Sequence, residues 1–174
     1  FLNFETMMHQ NKHNLLIYPE GVPGIGKGFN RRYELQHFSS SFITMSIKYQ
    51  TDIVPILTVN GEYINPYAYK IDAVNRLINK IGVPFLPLGP TTLLLLLQPW
   101  VFYMGFPAKL TYVMGKRISP WKMTNKNIDT LTWSELIEIK EKVRSDMQAQ
   151  LNAAVADHGT SPFRIREFFS IALR

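Results

Sequence analysis

The sequence contains no cysteine. Disulfides, a thiolate nucleophile and thiolate metal sites are therefore excluded. It also lacks an apolar run long enough to cross a bilayer. In "TTLLLLLQPWVFYMGFPA" the run from Leu93 to Leu97 stops at Gln98 and Pro99, whereas a span needs about 20 residues. There is no Lys/Arg block, no zinc spacing and no RNP-type motif, so no nucleic-acid partner is expected despite a net charge of +6. No metal site or cofactor is expected either. The basic balance leaves anionic lipid, acidic small molecules or a solvated basic surface.

What is present suits a folded domain. The chain has 174 residues, 46% of them hydrophobic and 18% charged, enough for one domain with a core. It opens "FLNFETMMHQNKHN", with neither an initiator Met nor a signal-peptide layout. The expectation is one N-terminally truncated domain over residues 1–174, with residues 132–174 a helical C-terminal extension.

Periodicity sketches the elements. Residues 2–12 read as the end of a helix, and Leu15 to Tyr18 as a short buried strand. Leu35, Phe38, Phe42, Met45 and Tyr49 recur at helical spacing, which predicts a helix over residues 33–49. "IVPILTV", residues 53–59, reads as a strand with Pro55 at an irregular or edge position. Strand, helix, strand in this order predicts a βαβ unit with a parallel pair. A short helix over residues 72–81 and a strand over residues 109–113 follow. Thr132 with Glu135 forms a capping-box pattern ahead of a long amphipathic helix over residues 132–156, whose stripe is Leu136, Ile139, Val143, Met147 and Leu151.

One loop carries the chemistry. In "LLIYPEGVPGIGKGF", Gly21, Gly26 and Lys27 match a phosphate loop until Gly28, which has no hydroxyl for Mg²⁺. Pro23 also lacks an N–H for a phosphate cradle, and the helical period starts too late. A nucleotide triphosphatase is therefore disfavoured. The alternative focus is Glu20, a carboxylate at a strand end beside Gly21, where it can accept hydrogen bonds from sugar or glycerol hydroxyls. Lys27, Arg31 and Arg32 bring positive charge to the same loop. The bland alternative is that Glu20 caps a neighbouring element and the basic residues are solvated.

"LLIYPEG", "GKGF", "RRYELQHFSSSF", "TDIVPI", the "GEY" after Val59 and "FPAKLTYVMGKRI" together resemble the lysophospholipid acyltransferase superfamily. The likeness covers about residues 12–120 and is greatest to the branch of monoacylglycerol and diacylglycerol acyltransferases. It implies an α/β fold, with a mixed, largely parallel sheet flanked by helices. It implies transfer of a fatty acyl group from acyl-CoA, or an acyl carrier protein, to a hydroxyl of a glycerolipid or lysophospholipid. Acyl-CoA would be a co-substrate, and the protein would associate with the cytosolic face of a membrane. Pro19, Glu20, Gly21, Lys27, Arg31 and Arg32 would bind the acceptor, and Val54, Pro55 and Ile56 would wall the acyl site.

Two departures qualify the likeness. The family's HxxxxD motif, whose His is the general base, is missing: His9 is followed at the Asp position by Asn14, and His13, His37 and His158 have no Asp at the needed spacing. The base is expected upstream, so no catalytic residue is assigned here, and a non-catalytic lipid-binding or membrane-associated module is the alternative. Val22, Pro23 and Gly24 stand where phosphate-acceptor members carry an Arg, which favours a neutral or different lysolipid. Trp100, Tyr103, Arg164, Arg166, Phe168 and Phe169 are the expected membrane contacts. Oligomeric state is not legible.

Overall fold

The computed structural model describes residues 2–10, 14–25, 27–65, 69, 71–82 and 105–164. The apolar segment of residues 83–104, with Trp100 and Tyr103, lies outside them, as do His13, Arg166, Phe168 and Phe169.

The fold is a mixed α/β arrangement. Its helices are α1 (Leu2–Gln10), α2 (Val22–Ile25), α3 (Ser41–Tyr49), α4 (Asp72–Asn79) and α5 (Trp133–His158). Strands β1 (Ile56–Val59) and β2 (Thr111–Met114) pair antiparallel, with Ile56 opposite Met114 and Val59 opposite Thr111. No parallel pair occurs among the described residues.

The long helix organises the core. Thr132 and Glu135 form the reciprocal capping box, the Thr132 N–H donating to Glu135 Oε2 at 2.9 Å. From that start, Leu136, Ile139, Val143, Met147, Leu151 and Ala154 fall on one face and are all buried. The first half of the stripe packs on Phe38, Phe42, Ile43, Ile47 and Ile118. The second half packs on Leu57 and Val59 of β1. Asp52 ties the far end of this core together. It accepts bonds from Ser119 Oγ at 2.7 Å and Trp121 Nε1 at 2.9 Å, with Arg117 alongside, and these bonds hold its carboxyl below the usual range.

Four sequence expectations are corrected. Residues 15–18 form no strand: among the described residues no second strand pairs with them, and Leu16, Ile17 and Tyr18 are exposed. An apolar run is only a strand if its N–H and C=O groups find a ladder. The expected parallel βαβ pair fails with it, because β1 takes β2 as its neighbour. The helix expected over residues 33–49 begins only at Ser41: Tyr33 is left-handed at φ of 62°, and the chain after it directs its backbone donors elsewhere, the Leu35 N–H to Gln148 Oε1 and the Ser39 N–H to Pro19 O. The expected strand over residues 53–59 shortens to β1, with Pro55 just outside it, as its missing N–H requires.

We predict that Ile43→Ala, at a site with 0% exposure, lowers stability by about 2–5 kcal/mol in urea unfolding. Leu16→Ala, at 65% exposure, should change it by roughly 0.5 kcal/mol or less. Equal losses at both sites would contradict this core.

Candidate functional site

The loop after Tyr18 turns back at once. The Gly21 N–H donates to Tyr18 O at 3.2 Å, with Gly21 at φ of 56°, where a side chain would be strained. Pro19 is fixed through its carbonyl, which accepts from the Ser39 N–H at 2.9 Å. Residues 22–25 form the single helical turn α2. Within it Gly24 lies directly under Glu20, and a Cβ there would overlap the Glu20 side chain. The glycine is thus a steric requirement for a half-buried carboxylate.

Three charges meet at this point. Lys27 Nζ lies 2.7 Å from Glu62 Oε1, with the two side chains only 12% and 17% exposed. Lys27 also donates to Glu34 O at 3.2 Å. Burial pushes the Glu20 carboxyl above its ordinary value. The charge of Lys27 and a bond from the Gln36 backbone oppose that rise, and the negative charge of Glu62 adds to it. The cluster is one ammonium against two carboxylates, one of them tightly paired.

Glu62 reaches further. Its Oε1 accepts from the Tyr33 N–H at 3.1 Å, at the residue where the chain takes its left-handed turn. The Tyr33 hydroxyl donates to Asn60 Oδ1 at 2.5 Å, and Asn60 Nδ2 donates to Lys109 O at 3.1 Å. Asn60 is fully buried and itself left-handed, at φ of 67°. Burial first, then the nearby Tyr63 and Glu62, pushes the Tyr33 phenol up to about 12. Gln148 of α5 completes the frame, donating to Tyr33 O and accepting from the Leu35 N–H, both at 2.8 Å. Phe29, Tyr63 and Phe163 stack edge to face beside it, with centroids 5.1 and 5.5 Å apart.

The site residues expected from sequence separate into two groups. Pro19, Glu20, Gly21 and Lys27 come together. Arg31 instead pairs with Glu34 at 3.3 Å on the surface, and Arg32 lies over the Phe29 ring at 4.9 Å. Of the expected acyl wall, Val54 and Ile56 are exposed while Pro55 is buried against Gly115. Ile56 shares its sheet face with Met114, Thr58 and Tyr112, all exposed. Glu62, Tyr33, Asn60 and Gln148 were not identified as site residues. The "NGEY" run was the one available signal, a second acidic residue just after a strand.

Comparison with known proteins finds uncharacterized proteins of Mycobacterium tuberculosis and Mycobacterium bovis that are 29% identical to this chain over 143 residues. The match spans 80% of this chain and 37% of each relative. An uncharacterized protein of Mycobacterium leprae is 33% identical over 103 residues, 55% of this chain and 27% of the relative. The chain thus covers well under half the length of the curated relatives it matches. No family model matches it, and no solved structure does.

Two measurements follow from the charges. A glutamate whose folded pKa is raised binds its proton more tightly folded than unfolded. Its contribution is therefore intact below about 4.5 and lost as pH rises through the folded value. Glu20→Gln should accordingly be at least as stable as the parent at pH 7, with a shallower decline in thermal midpoint from pH 4.5 upward. A variant less stable than the parent at pH 7 would contradict the desolvation. In the second measurement, Glu62→Gln removes the like charge and releases Lys27 toward Glu20. Carboxyl NMR should then show the Glu20 titration at lower pH than in the parent, and an unchanged titration would mean the three groups do not interact.

Proposed function

We propose that this chain is the acceptor-binding part of a glycerolipid acyltransferase. The reaction would move a fatty acyl group from acyl-CoA, or an acyl carrier protein, to a hydroxyl of a glycerolipid or lysophospholipid. The observation that carries this reading is Glu20, a half-buried carboxylate held over Gly24 in a glycine-rich turn. Such a group can accept hydrogen bonds from the acceptor's hydroxyls and fix which oxygen faces the donor.

The charge arrangement favours a neutral acceptor over a phosphate-bearing one. Lys27 is the cation at Glu20 among the described residues, and it is already paired with Glu62. Arg31 and Arg32 are engaged elsewhere. An incoming phosphate would face Glu20 and have to compete with Glu62 for Lys27.

In this reading a His of an HxxxxD motif in sequence beyond this chain removes the acceptor hydroxyl proton. The oxygen attacks the thioester carbonyl, the C–S bond breaks, and the thiolate leaves with a proton. Exposed Val54, just before β1, and Ile56, on the exposed sheet face, would lie along the acyl chain. A largely parallel sheet would need strands from sequence beyond this chain. The protein would work at the cytosolic face of a membrane. The relatives' greater length is compatible with a catalytic half elsewhere in the polypeptide.

The test uses a polypeptide that includes the HxxxxD region. Glu20→Ala should raise KM for a monoacylglycerol acceptor roughly tenfold to a hundredfold, the loss of one charge-assisted hydrogen bond. KM for acyl-CoA should stay unchanged. A fall in kcat with acceptor KM unmoved would overturn the role given to Glu20. No turnover on any lysolipid would favour the non-catalytic lipid-binding module.

A further inference from the structure

Helix α4 is amphipathic, and its apolar residues are not all packed. Asn75 is the buried residue of this helix, and Val74 and Ile78 are half-buried beside it. Leu77 is 66% exposed, Ile81 just beyond the helix is 76% exposed, and Ala73 is exposed too. These three stand four residues apart. At 100° per residue they form a stripe about 80° wide along the helix. Arg76 and Lys80 border one side of it, about 60–100° away from Leu77. Both are exposed. The exposed carboxylate of Asp72 opens the helix on the same side as Arg76 and Lys80 and stands beside Ala73, whereas the charges beside Leu77 and Ile81 are both positive. Exposed Tyr69 and Ile71 precede the helix.

We propose that this stripe of α4 is the surface by which the chain docks on an anionic lipid bilayer. The helix has 8 residues, about 12 Å of rise, far too short to span and suited to lying in the headgroup plane. Leu77 and Ile81 enter the acyl boundary while Arg76 and Lys80 remain at the anionic headgroups. Tyr69 belongs to the residue types favoured at that boundary. Charge complementarity selects this occupant: the two large exposed apolar residues, Leu77 and Ile81, are bordered by the cations Arg76 and Lys80 and match an anionic interface, while Asp72 stands at the far end beside Ala73. The placement rests on the membrane-associated reading above but not on the acceptor role of Glu20. It also differs from the membrane contacts expected from sequence, which fall mostly outside the described residues.

The test is flotation of the full chain with vesicles of phosphatidylcholine alone and of equimolar phosphatidylcholine and phosphatidylserine. The chain should partition to the anionic vesicles, and less at high salt. Leu77→Ser with Ile81→Ser should weaken this at least about tenfold. Each of Arg76→Gln and Lys80→Gln should weaken it roughly fivefold on anionic vesicles. Met114→Ser, at an exposed apolar position on the sheet, should leave binding unchanged. Circular dichroism checks that each variant is folded.

Parent binding that survives the double serine change would overturn the placement on α4 while leaving membrane association standing. No vesicle binding by the parent would overturn both. Stripe-dependent self-association without vesicle binding would identify a second copy as the occupant and overturn the lipid assignment.

Discussion

The structure depends on one helix face. Leu136, Ile139, Val143, Met147, Leu151 and Ala154 run along α5 and receive α3 on one half and β1 on the other. Among the described residues the sheet has two strands, too few to be stable without a helix against them. α3 is nine residues long, too short to persist alone. Burial against α5 stabilises both, and Gln148 carries its hold on to the loop leading from the candidate site. The last third of the sequence thereby fixes the geometry of residues near its start.

The candidate site is what that frame permits. Tyr33 and Asn60 both adopt left-handed backbone, which costs energy for residues other than glycine. The phenol-to-amide bond between them, the Glu62 bond to the Tyr33 N–H and the Gln148 clamp offset that cost. With the loop so held, Lys27 and Glu62 are brought nearly out of solvent and Glu20 is set beside them. A desolvated carboxylate next to an already neutralised ion pair is poised to accept hydrogen bonds, not to bind a second anion.

The parts legible in the sequence were those set by local rules. α5 was readable from its 3–4 spacing and from Thr132 with Glu135, because capping and periodicity act within one or two turns. Glu20 was readable as a loop carboxylate because glycine and proline around it preclude regular structure. The rest was decided by distant partners. Residues 15–18 look like a strand, yet a strand needs a neighbour and periodicity cannot supply one. Residues 33–39 keep a helical period, yet Glu62 and Gln148 draw Tyr33 into a turn. Lys27, Arg31 and Arg32 were indistinguishable as charges in one loop. Only Glu62, Glu34 and Phe29 in space separate the first from the other two.

The central claim is that Glu20 contacts a neutral glycerolipid. The direct measurement is carboxyl NMR of the chain labelled at glutamate, during titration with a short-chain monoacylglycerol and, separately, with the matching lysophosphatidic acid. The Glu20 signal should move saturably with the neutral lipid and much less with the phosphate-bearing one, while Glu34 and Glu138 stay still. A Glu20 signal that ignores the monoacylglycerol, or that responds only to the phosphate, would contradict the account.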